Sequence, residues 1–189
     1  SDVYKRQLRE IQDVTGAYGL SLDTWGPWVN FWTLYRQQDG ELTFYEDGYE
    51  WDEDKAMAAL ELLYRLSEEG LAPRVSEGAD TSANLANGRS GLMIHGNWEM
   101  STLQAAGTDF SVTQFPNLFG NHRTRGDTHC YVLPHQRDRD GERTRAALEY
   151  AAWMLRNSLS WSEGAGHIPA YRPVAESAEY DALHPQSEY

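Results

Sequence analysis

The sequence predicts a mixed α/β or α+β fold, because short strand-like apolar runs alternate with amphipathic helical segments and no internal repeat or low-complexity tract interrupts them. Its 189 residues suffice to bury a core, as one large domain or two small lobes. The composition, 40% hydrophobic and 24% charged, is that of a soluble folded chain, and no apolar run is long enough to cross a bilayer.

Taken in order, Pro27 stands where a helix can begin, and Trp28, Phe31, Trp32 and Tyr35 follow at helical spacing up to Asp39-Gly40. Asp52 is placed to cap an amphipathic helix to about Glu69, with Ala56, Ala59, Leu60, Leu63 and Leu66 as its expected buried stripe. Gly70 supplies the stop and Pro73 prevents continuation. Thr81-Ser82 open a short helix ended by Asn87-Gly88, and Leu92, Met93 and Ile94 make a brief strand. The strand breaks at Gly96-Asn97, and a helix from about Glu99 to Ala106 follows Trp98.

Phe110 to Phe115 alternates as a strand, Asn117 to Asp127 is loop-like, and Tyr131 to Leu133 reads as a further short strand. A second strong helix is expected from about Glu142 to Asn157, with Ala147, Leu148, Ala151, Met154 and Leu155 on its apolar side. Trp161 to Val174, rich in Gly and Pro, reads as an ordered functional loop. The opening Ser1 to Gln7, SDVYKRQ, reads as a non-native tail and is set aside.

A formal charge of −13 and a pI near 4.8 oppose polyanionic partners, since binding would begin with repulsion instead of counterion release, so no nucleic acid is expected. The lone Cys130 has no partner for a disulfide or a CxxC site, and the six histidines lack zinc spacing, so neither a metal nor a cofactor is expected. The acidic run Asp39 to Asp54 lacks calcium-loop spacing and reads as a solvated face.

Seven Trp and eleven Tyr are an unusual load, and several stand among Gly, Pro, Asn and Asp, where rings line clefts more readily than cores. Trp25, Trp28 and Asn30 surround the start of the first aromatic helix, and Trp98 occupies a turn before a helix. All four are candidate ligand contacts, with packing under loops as the competing role. Asn97 and Glu99 flank Trp98 and either bond a ligand or satisfy the helix start.

Several segments resemble, in order, bacterial extracellular solute-binding proteins of the maltose-binding-protein type. They are the helix Asp54 to Glu69, "ANGRSGLMIHGNWEM" from Ala86, "GDTHCYVLP" from Gly126, "ALEYAAWML" from Ala147 and "WSEGAGHIPAYRPV" from Trp161. The likeness spans about Gly19 to Tyr180 and is to the second half of a usual family member. It implies a two-lobed, type II periplasmic-binding-protein-like α/β fold, incomplete because the N-terminal part is missing.

By that resemblance, 8–109 forms part of the C-terminal lobe, 110–116 crosses the hinge, 117–160 belongs to the N-terminal lobe and 161–189 returns. It implies capture of a mono- or oligosaccharide for an ABC importer's permease subunits, by a monomer in the cell envelope or periplasm. Membrane attachment would come only through a lipid anchor upstream. Gly96, Asn97 and Trp98 match the family's sugar-stacking Gly-x-Trp turn, His129 stands where relatives place a cleft-facing Ser-His, and Tyr171 and Arg172 follow the Gly-x-Ile-Pro-Ala segment.

The alternative is a carbohydrate-active hydrolase, which needs two carboxylates across the scissile bond. Glu99, Asp127 and Glu163 lie in separate segments, and no GxSxG or HExxH appears, so no catalytic residue is assigned.

Overall fold

The computed structural model describes residues 2–22, 26–74 and 80–188. Residues 1–96, 105–108 and 114–126 form one compact unit, and 97–104, 109–113 and 127–189 form a second.

The first unit begins with helix α1 (Asp2–Thr15), strand β1 (Tyr18–Leu22) and helix α2 (Gly26–Arg36). A hairpin, β2 (Leu42–Tyr45) and β3 (Gly48–Trp51), leads into helix α3 (Glu53–Glu68), and the short helix α4 (Thr81–Ala86) precedes strand β4 (Ser90–Ile94). β1 and β4 pair in parallel, Tyr18 beside Ser90 and Leu22 beside Ile94, so both strands end on the same side.

α1 lies close against this pair because glycines leave it room. A Cβ at Gly19 would stand 2.6 Å from the Leu8 carbonyl oxygen, and one at Gly91 would stand 2.3 Å from the Ile11 side chain. Residues 2–7, set aside as a tail by the sequence reading, are the first turns of α1: Lys5 is nearly buried and bonds Glu69 beyond α3.

α3 forms as expected. The Asp52 carboxylate accepts from the Lys55 amide at 3.2 Å and caps it. Its buried residues are Ala56, Ala59, Leu62 and Leu66, while Leu60 is 45% exposed and Leu63 is partly buried, so the buried stripe is rotated from the expected one. The cause is tertiary: one end of the helix packs on Phe31, Leu34 and Tyr35, the other on Leu8, Leu20, Leu71 and Ala72.

The 114–126 segment is fastened to α2 by Gln37, whose side chain is wholly buried. Its amide donates to the Pro116 carbonyl (2.9 Å) and the Arg123 carbonyl (3.1 Å), and its carbonyl accepts from the Leu118 amide (2.9 Å).

In the second unit, a 3₁₀ turn (Asn97–Glu99) runs into α5 (Met100–Ala105), and the chain later forms α6 (Gly141–Arg156), α7 (Leu159–Ala165), α8 (Arg172–Ala175), α9 (Ala178–Asp181) and a closing 3₁₀ turn (Gln186–Glu188). Three expectations change. Phe110 to Phe115 and Tyr131 to Leu133 have no ladder partner among the described residues and are not strands. The stretch from Trp161, read as loop, is helical to Ala165 because α7 starts at Leu159, immediately after α6. None of the apolar side of α6 is buried, and Leu148 is 55% exposed.

Candidate functional site

Asn97, Trp98 and Glu99 form one 3₁₀ turn in the second unit, held by Met100 and Leu103, both buried on the helix that follows. Trp98 keeps 47% of its surface exposed, far more than a core indole shows. α7 packs on this turn, and Gly166 ends α7 with φ at 71°. A Cβ there would lie 2.3 Å from the Asn97 carbonyl oxygen, so only glycine permits both this left-handed cap and this approach.

Beside α7 three rings gather. His129 stacks on Trp161, with centroids 5.8 Å apart at 15°, and His167 meets His129 edge-on at 5.3 Å and Trp161 at 5.2 Å. Burial first, and the neighbouring His129 charge second, hold the His167 pKa below the ordinary imidazole value. Trp161 is 41% exposed, so this aromatic corner is open on one side.

Tyr171 is half-buried and precedes α8 without capping it through its side chain. Arg172 is exposed, and its Nε donates to Glu176 one turn on (2.8 Å), the ordinary salt-bridging role weighed against ligand contact.

Two candidates fall in the first unit, and Trp25 lies outside the described residues. Trp28 is 56% exposed and stacks on Trp32, with centroids 5.9 Å apart. Asn30 is 1% exposed, yet among the described residues neither its amide nitrogen nor its carbonyl oxygen has a hydrogen-bond partner. It lines an apolar cavity of about 10 Å³ with Leu22 and Ile94, the last residues of β1 and β4. Such an orphaned amide costs on the order of 1–3 kcal/mol, and native proteins keep few of them.

The structure therefore gathers Asn97, Trp98 and Glu99 on one turn and places His129 in a ring cluster, while Trp28 and Asn30 sit in the other unit. Trp161 and His167 were missed as candidates by the sequence reading. The available signal was their place in WSEGAGHIP, where an indole and an imidazole flank the glycine that ends α7.

The chain thus combines an α/β fold with half-exposed tryptophans on a turn and at a helix start. A family model for bacterial extracellular solute-binding proteins matches residues 6–185, and the chain belongs to that family. No curated protein and no solved structure matches it. Family membership gives a periplasmic-binding-protein-like α/β fold, a solute ligand, interaction with ABC transporter components and a place outside the cytoplasmic membrane. Members are generally not enzymes.

Proposed function

We propose that the solute is a mono- or oligosaccharide and that the protein delivers it to an ABC importer by closing two lobes around it, in the maltose-binding-protein manner. The observation that carries the reading is Trp98, a half-exposed indole on a turn fixed by α7 and Gly166. Sugars present C–H faces that lie flat on an indole and a rim of hydroxyls that need directed polar partners. Asn97 and Glu99 supply such partners beside the ring, and His129, with Trp161 and His167, offers a second aromatic and hydrogen-bonding surface. Asn30 adds a donor and an acceptor, unsatisfied among the described residues, in the first unit, with Trp28 and Trp25 as further rings and Tyr171 and Arg172 as rim contacts.

The division into a C-terminal lobe (8–109), a hinge crossing (110–116), a part of the N-terminal lobe (117–160) and a return (161–189) belongs to the same proposal. Ligand contacts made to both lobes at once favour the closed state by population shift. The test is calorimetry and product analysis with a panel of mono- and oligosaccharides. Saturable binding without cleavage is expected. Binding confined to non-sugar solutes overturns the sugar assignment, and turnover returns the protein to the hydrolase alternative.

A further inference from the structure

The outer part of the β2–β3 hairpin's aromatic face, Phe44 and Tyr49, serves neither the core nor the proposed solute site. Its register pairs Leu42 with Trp51 and Phe44 with Tyr49, which places these four side chains on one face, with Thr43 and Glu50 on the other. Phe44 is 75% and Tyr49 65% exposed. An isolated hairpin is marginal in water, but this one is anchored. Trp51 packs edge-on to Phe31 with centroids 6.1 Å apart and lies 6.3 Å from Tyr35, and Tyr49 meets Trp51 at 6.4 Å and 86°. The Tyr35 hydroxyl donates to the Glu41 carbonyl (2.6 Å) and accepts from the Asp52 amide (2.9 Å), tying the base of the hairpin together.

Charge says what fits there. Residues 39–54 contain eight carboxylates and no Lys or Arg. Asp39 pairs with Arg123 (2.7 Å) and Asp52 with Lys55 (3.0 Å), whereas Glu41, Glu46, Asp47 and Glu50 form no ion pair among the described residues. A second copy of this chain would set acid against acid, and an anionic lipid surface would be repelled likewise. The complement is a protein surface with Lys or Arg side chains set among apolar ones.

We propose that the β2–β3 face docks this protein onto a basic, apolar surface of the importer's membrane component. This inference rests on the reading that the chain serves an ABC importer. The experiment measures binding of the full chain to the cognate permease complex in nanodiscs, across a salt series, with solute binding followed separately by calorimetry. One variant joins Phe44→Ser with Tyr49→Ser, and the other joins Glu41→Gln, Glu46→Gln, Asp47→Asn and Glu50→Gln. Each is expected to weaken permease binding at least tenfold while the chain stays folded by circular dichroism and its solute affinity is unchanged, and the second also loses the salt dependence of the wild type. Wild-type permease affinity in both variants overturns the docking proposal, as does absence of wild-type binding to the permease while solute binding is intact. If the hairpin variants lose permease binding but no sugar binds the wild type, docking stands and the sugar reading falls.

Discussion

Gly166 is held by two demands that no other residue meets together, a φ of 71° and an approach that would put a Cβ 2.3 Å from the Asn97 carbonyl oxygen. Gly166→Ala therefore adds a left-handed penalty of about 1–2 kcal/mol to a backbone clash, and the Asn97–Glu99 turn must shift. A lower urea midpoint and a changed Trp98 emission are expected; an unaltered spectrum would separate the glycine from the turn. Trp98→Ala is expected to cost about 2 kcal/mol or more of sugar affinity, some 30-fold, with little change in unfolding. Calorimetry decides it.

Asn30→Leu should act in the opposite sense on stability, raising the urea midpoint by removing an orphaned buried amide, while reducing solute affinity. Equal affinity in that variant would assign Asn30 to the core alone. His167 brings pH into play. Because its folded pKa is lowered from the ordinary value of 6.5, the unfolded chain binds the proton more readily. Its contribution is therefore complete above about pH 6.5 and is lost as pH falls from there through the lowered folded value. Urea titrations over that range should show His167→Gln losing part of the slope; an identical slope would count against the assignment.

At the scale of elements, α3 separates what helical periodicity specifies from what packing selects. Capping by Asp52 is a local matter and follows from residue type. Which leucines go inside depends on partners far along the chain, and α1 and α2 draw in Leu62 and Leu66 while leaving Leu60 at the surface. Leu66→Ala should cost about 2–5 kcal/mol in denaturant unfolding, and Leu60→Ala should fall within about 0.5 kcal/mol of wild type. Comparable losses at both positions would show the stripe to be misplaced. β1 and β4 carry a similar lesson. Gly19 and Gly91 look like strand weaknesses in sequence, and only the presence of α1 above them explains their use.

At the scale of the whole molecule, the chain changes unit after residues 96, 104, 108, 113 and 126, so neither unit is a single stretch of sequence. A solute that binds only the folded chain stabilises it by about 2.7 kcal/mol at one hundred times its dissociation constant, which a thermal-shift series with the sugar panel would register. The hinge-bending reading adds that saturating sugar contracts the radius of gyration in X-ray scattering. An unchanged radius under saturation would leave binding in place and remove closure from the mechanism.

The local devices were determined by the sequence alone. Asp52 and Gly70 bound a helix, Asn87-Gly88 ends another, Trp98 sits between a strand end and a helix, and the ordered segments from Asp54 to Val174 resemble the family to which the chain belongs. Each depends on residues a few positions apart, so backbone propensity and capping suffice. Tertiary structure alone decided that Tyr131 to Leu133 forms no ladder, that α7 continues past Trp161, and that His129, Trp161 and His167 meet. A ladder needs a partner strand and a ring cluster needs residues 38 positions apart, from His129 to His167. Those are long-range contacts, whose loop-closure entropy and packing no window of sequence contains.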